Sequence, residues 1–376
     1  MSEAHGGLRP RELERLGIDP ATVLDFSTNV SPIGAPPSVA RALRDLDPSV
    51  YPDPDCSRLV ARLSELLDVP PDRILCGNGS SELIYLLARV FIKPGRQAVV
   101  LAPTFGAYYE ATRLAGGTTY EWRALPERDF RPVLKNKPGV LRRTAPALVW
   151  LCNPNNPTGV YLDRRDVQWL ASGLTGGPLV LDEAYIGFID HAWRSLDLIE
   201  DGRVIVLRSL TKDYGLAGLR LGYMVAHPAT IAAVRRLQPP WSVSAAAQAA
   251  SLAALEDAGH LLRLRDAVRR GKRALVTGLR ELGLKVHEGS ANFVLVHVGN
   301  GAALRERLLW RGVQVRDCAS FGLPEYIRIG VRLPEQCRQL LVALRDALAE
   351  GPLPELRPPH PRGEARANPS AADTPR

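Results

Sequence analysis

Residues 203–222, RVIVLRSLTKDYGLAGLRLG, join a short apolar run to a glycine-rich loop that carries Lys212 and Arg220. A run of this length, closed by a loop, reads as a buried strand. Three similar runs precede it: AVVLA (98–102), ALVWL (147–151) and PLVLD (178–182). Helical patterns lie among them, namely CSRLVARLSELL (56–67), SSELIYLLARVF (80–91) and RRDVQWLASGL (164–174). This alternation, from about Cys56 to His227, predicts an α/β fold with a mostly parallel central sheet covered on both faces. Such sheets bind ligands at the carboxyl ends of their strands, which is where the Lys212 loop falls.

The flanks read differently. After Gln248, long helical patterns are broken by strands near KVHE, NFVLVHV and YIRIGV. They predict a smaller α+β domain over 251–350, beside a large domain over 46–250. The segment 1–45, with its strand-like VLDFST, is expected to pack with the small domain. The Pro-rich, polar stretch 351–376 is expected to be disordered, because it has too little apolar surface to bury.

The chain has 376 residues, 45% of them hydrophobic and 23% charged, enough for two cores of ordinary composition. Its net charge of +8 is scattered, with no Lys/Arg run of five. That favours an anionic small substrate over nucleic acid. The N-terminus has no apolar leader region, and no apolar stretch nears the roughly 18 residues of a membrane span. Five cysteines (56, 76, 152, 318 and 337) stand far apart with no C-x-x-C pair. Neither a disulfide framework nor a metal site is expected, and the location expected is cytoplasmic.

Four groups of residues carry chemistry. Lys212, in a loop at the sheet's edge, is placed to condense with an aldehyde cofactor if its ammonium loses a proton readily. Ser209 and Arg220 would supply donors for a phosphate. The plain alternative is a surface lysine and a helix arginine. Asp182 closes a buried run, and a pyridinium N–H is one partner a buried carboxylate can take; the alternative is a helix N-cap. Tyr185, three residues on, and Asn156, in Asn153-Pro-Asn-Asn-Pro-Thr-Gly159, could reach a ring oxygen; the alternative for the latter segment is a turn. Gly77-Asn-Gly-Ser80-Ser81-Glu82 opens a helix, as an anion site does, although a simple capping box would read the same way.

In this order, G-x-G-S-S-E, P-T-F-x-x-Y, N-P-x-N-P-T-G, D-E-A-Y and S-x-x-K with a later Arg, the chain resembles the fold-type-I, class I/II aminotransferase superfamily over about residues 25–345. The resemblance implies pyridoxal 5'-phosphate (PLP) on Lys212, Asp182 on the pyridine nitrogen, and Asn156 and Tyr185 on the ring oxygen. It also implies Tyr108 stacked on the ring, and Ser80, Ser81, Ser209 and Arg220 on the phosphate. Members are dimers with shared active sites, and Tyr51 resembles the tyrosine that reaches the neighbour's phosphate; by itself Tyr51 reads as a loop aromatic.

Within the superfamily two branches are similar: the threonine-phosphate decarboxylases of cobalamin biosynthesis and the histidinol-phosphate aminotransferases. His5-Gly6-Gly7, Asn29 in LDFSTN, and Arg316 in RDCASF followed by Arg328 resemble the decarboxylase's substrate contacts. The expectation is therefore decarboxylation of O-phospho-L-threonine to (R)-1-aminopropan-2-yl phosphate, with histidinol-phosphate transamination as the alternative. Arg316 and His5 also read plainly as an edge-strand surface arginine and a disordered terminus. Ser31 stands where the family pattern has Asn, which puts contacts from that position in question. Some regulators carry an aminotransferase-like domain behind a DNA-binding module, but the thirty residues before the PLP domain are too few for one.

Overall fold

The computed structural model describes residues 6–134 and 138–356. His5 and most of the tail expected to be disordered lie outside them. The strands are β1 (Leu24–Asp25), β2 (Ile74–Asn78), β3 (Gln97–Ala102), β4 (Thr118–Arg123), β5 (Leu148–Cys152), β6 (Leu179–Asp182) and β7 (Val204–Ser209). They continue with β8 (Leu221–Val225), β9 (Lys285–His287), β10 (Phe293–His297), β11 (Val313–Gln314), β12 (Arg316–Asp317) and β13 (Tyr326–Gly330).

A seven-stranded sheet, in the order β2-β8-β7-β6-β5-β3-β4, forms the large unit. Only β8 runs against its neighbours. Side chains alternate between two cores, so Val149 and Leu151 pack on one face while Leu148 and Trp150 pack on the other. This explains why β5 and its neighbours read as unbroken apolar runs. The expected strands at 98–102, 147–151, 178–182 and 203–209 correspond to β3, β5, β6 and β7.

A second, antiparallel sheet has the order β12-β13-β10-β9. It packs against the helices His260–Glu281 and Pro334–Ala349 through a third core, which also takes Phe26 from the N-terminal segment. The strand expected at VLDFST is short. Only Leu24 and Asp25 pair, parallel to Val313 and Gln314.

No helix among the described residues is long and apolar enough to cross a membrane. All five cysteines are buried free thiols.

Candidate active site

The register of the large sheet brings the candidate residues to one edge. Cys152 pairs with Asp182 and Asp182 with Leu207, so β5 and β6 end together and β7 runs two residues further, to Ser209. A cavity of about 350 Å³ opens at those ends. Lys212, Asp182, Asn156, Tyr185 and Tyr108 line its floor. Ser80, Ser81, Ser209 and Arg220 line one end, and Gly6, Asn29, Arg316 and Arg328 line the side formed by the second sheet and the N-terminal segment. Two of the expected site residues are not in this group. His5 lies outside the described residues, and Tyr51 is 77% exposed and tilted against Trp241, with ring centroids 4.9 Å apart.

Asp182 is buried. Its Oδ1 accepts from the Ala184 N–H at 3.0 Å and its Oδ2 from the Tyr108 hydroxyl at 2.7 Å. Burial raises its pKa, opposed by those two hydrogen bonds. The helix N-cap alternative does not apply, since the N-cap position of the next helical turn, Ile186–Phe188, is Tyr185 and not Asp182. Tyr108 does more than offer a ring face: it stacks on Trp150 with centroids 5.1 Å apart, and its hydroxyl holds Asp182.

Lys212 is half-buried, and its amine is pulled down to about 8. Burial is the main cause, followed by the positive charges of Arg328 and Arg220. An amine so tuned is partly neutral near pH 8, as condensation with an aldehyde requires. The surface-lysine alternative fails on this geometry. Tyr185 is buried, its hydroxyl accepts from Asn29 Nδ2 at 3.3 Å, and burial pushes its pKa up to about 12. Ser31 contributes through its main chain, donating its N–H to the Lys212 carbonyl at 2.8 Å. The Asn-to-Ser departure leaves that contact intact.

The capping-box alternative for Ser80 also fails. The helix starts at Gly79 with no side-chain cap from Asn78, and Glu82 Oε2 takes the Asn78 N–H at 2.8 Å. The hydroxyls of Ser80 and Ser81 are thus left on the cavity side of a helix N-terminus. Gly79 has φ +73°, and a Cβ there would sit 2.8 Å from Arg220 Nη2. The left-handed φ is what calls for glycine here, since the guanidinium could swing aside.

Arg316 and Arg328 are 3% and 5% exposed, which removes the surface reading of Arg316. Arg328 donates to Asn156 Oδ1 at 2.5 Å and to the Ser27 carbonyl at 2.6 Å, both neutral acceptors, and its Nε has no hydrogen-bond partner among the described residues. Arg316 donates to Ser320 Oγ at 2.6 Å and lies over the Phe321 ring. Sequence reasoning gave no role to Phe105, Thr211, Ser320 or Phe321. Three of them line the cavity and Ser320 holds Arg316. Ser320 and Phe321 lie within the quoted RDCASF, but neither residue type signals a site by itself.

These residues fit PLP. The cavity has a buried carboxylate for a ring N–H, an amine near neutrality for an aldehyde, and a helix N-terminus with Arg220 for a phosphate.

The family model for aminotransferase class I and II matches residues 21–344. The histidinol-phosphate aminotransferase of Symbiobacterium thermophilum is 39% identical, covering 88% of this chain and 91% of its own. That of Moorella thermoacetica is 35% identical, covering 87% and 86%. Among solved structures, histidinol-phosphate aminotransferase from Sinorhizobium meliloti in complex with pyridoxal-5'-phosphate superposes with a TM-score of 0.83. It is 27% identical, and the match covers 92% of this chain and 95% of that one. Aspartate aminotransferase from Thermus thermophilus with maleate gives a TM-score of 0.78 at 26% identity, covering 90% and 94%. The relatives carry the name of the second branch, which reverses the order expected from the motifs. The physical reason is that two buried arginines suit an anion of either kind, and substrates of both branches carry a phosphate.

Proposed function

This chain belongs to the aminotransferase class I and II family, and we propose that it transfers the amino group of histidinol phosphate to a 2-oxo acid such as 2-oxoglutarate. PLP is the cofactor, and when bound it draws off the electron pair of the bond broken at the substrate's amine-bearing carbon.

Lys212 Nζ would hold the aldehyde of the cofactor and, when free, would take the proton from that carbon. Asp182 keeps a proton on the ring nitrogen, and Tyr108 orients Asp182. Asn156 and Tyr185 hold the ring oxygen. The N–H groups and hydroxyls of Ser80 and Ser81, with Ser209 and Arg220, hold the cofactor's phosphate. Arg316 and Arg328 take the phosphate of the substrate, with Asn29 and Gly6 beside them in the cavity. Histidinol phosphate has no carboxylate on the reacting carbon, so with both arginines on its phosphate the C–H bond is the one exposed to Lys212.

The observation that favours this reading is the 39% and 35% identity to histidinol-phosphate aminotransferases, and the pair of buried arginines beside Lys212 suits the phosphate such a substrate carries. The enzyme acts as a homodimer, in which exposed Tyr51 reaches the neighbouring cofactor's phosphate. The exposed cluster of Val50, Tyr51 and Trp241 supports that contact.

One observation favours a second reading, the decarboxylation of O-phospho-L-threonine. Gly6 lines the cavity and is locked there, for a Cβ on it would lie 2.2 Å from the Ser27 carbonyl, and Gly7 donates to Ser27 Oγ at 2.7 Å. This is the segment that resembles the decarboxylase branch. If Arg316 and Arg328 anchor the phosphate of this substrate, its carboxylate is left unheld and would be the group lost as CO2. Assaying histidinol phosphate with 2-oxoglutarate against O-phospho-L-threonine alone separates the two. Amino transfer in the first mixture supports transamination, and CO2 release in the second without a 2-oxo acid overturns it.

A further inference from the structure

The turn that carries Lys212 is held from two sides. Its own carbonyl accepts from Ser31, and the next carbonyl, that of Asp213, lies 2.9 Å from Nε2 of His260. A carbonyl only accepts, so Nε2 carries the proton and donates. His260 is buried, starts the helix His260–Glu281, and stacks on Tyr214 with centroids 4.9 Å apart.

The same helix grips a second cavity loop. Arg265 Nε donates at 3.1 Å to the carbonyl of Gly187, in the turn just after Tyr185. The two turns also press on each other, since a Cβ on Gly187 would lie 2.3 Å from the Asp213 Oδ2. Asp213 is itself buried, with its carboxyl pushed up to about 7 by burial and with Arg208 and Arg265 as the nearby cations. Arg208 in turn pairs with Glu183 at 2.9 Å. Neither His260 nor Arg265 lines the cavity.

We propose that His260 and Arg265 are positioning residues, which fix the Lys212 and Tyr185 turns to the small unit's long helix and so set where the two reactive side chains stand. The proposal rests on the role assigned to Lys212 above. A helix anchored this way couples the second sheet to the cofactor without touching it.

The test compares holoenzyme of wild type with His260→Leu, which loses the donor, His260→Gln, whose amide reaches the same carbonyl, and Arg265→Met. The readouts are the pH midpoint of the bound cofactor's visible band, the dissociation constant for PLP, kcat and KM, and thermal unfolding of the cofactor-free chain. His260→Leu is expected to displace the midpoint, to weaken PLP by about fivefold, as loss of one hydrogen bond would, and to lower kcat with little change in KM. His260→Gln should recover most of this. Arg265→Met should act in the same direction and decides the matter if His260→Leu does not fold. Variants that unfold at lower temperature but keep the wild-type midpoint and PLP affinity would overturn the proposal alone. A wild type with no visible band would overturn the Lys212 assignment and the tether with it.

Discussion

Arg316 and Arg328 stand directly opposite one another on the antiparallel strands β12 and β13, and both are buried. Like charges facing across a sheet oppose folding, and burial pulls both guanidinium pKa values down. An anion between them relieves that cost. Arg316→Gln is therefore expected to raise KM for the phosphorylated substrate by about 10- to 100-fold, the scale of a charge-assisted hydrogen bond. Inorganic phosphate should raise the unfolding temperature of the wild type more than that of the variant. Equal loss with phosphorylated and unphosphorylated substrates would remove Arg316 from the anion site.

The amine of Lys212 is depressed from its ordinary 10.5 to about 8. The unfolded chain therefore holds this proton more tightly than the folded one. Below pH 8 the cost of the buried ammonium is present in full, and between about 8 and 10.5 it is relieved as pH rises. Denaturant titrations of the cofactor-free enzyme should show stability climbing through that window relative to Lys212→Met. Lys272, also lowered to about 8, is common to both proteins and cancels. The rate of PLP capture should rise with pH and level off above 8.

Asp182→Asn keeps the shape of a fully buried side chain while removing its charge. It should cut kcat by roughly 100-fold or more, as loss of a preorganised electrostatic partner does. The cofactor-free variant should unfold no sooner than the wild type, because burial already disfavours the carboxylate. Steady-state kinetics and calorimetry check the two halves. A large drop in stability with unchanged kcat would contradict the assignment.

Gly79→Ala tests the phosphate end. The substitution forces a side chain into φ +73° and against Arg220, at a cost of about 1–2 kcal/mol. PLP affinity, measured by fluorescence titration, should fall by tenfold or more. Equal affinity would mean that this helix N-terminus does not hold the cofactor.

The fold was legible where burial on both faces leaves unbroken apolar runs, as in β3, β5, β6 and β7. The strands β2, β4 and β8 were not read. β2 ends in Cys-Gly-Asn, β8 continues a glycine-rich loop, and the edge strand β4 exposes nearly every residue of TTYEWR. Lys212, Asp182 and Asn156 are legible because each closes or follows a readable strand. The Tyr108–Asp182 bond spans 74 residues and the His260 tether 47, and neither leaves a local pattern. The branch was read in the opposite order to the relatives, because an anion site fixes the charge of a substrate and not which bond of it breaks.

The account stands on one nitrogen atom. Reducing the coloured holoenzyme with borohydride and mapping its peptides should place the pyridoxyl group on residue 212, with neither colour nor turnover in Lys212→Ala. A label on another lysine, or full turnover by that variant, would contradict it.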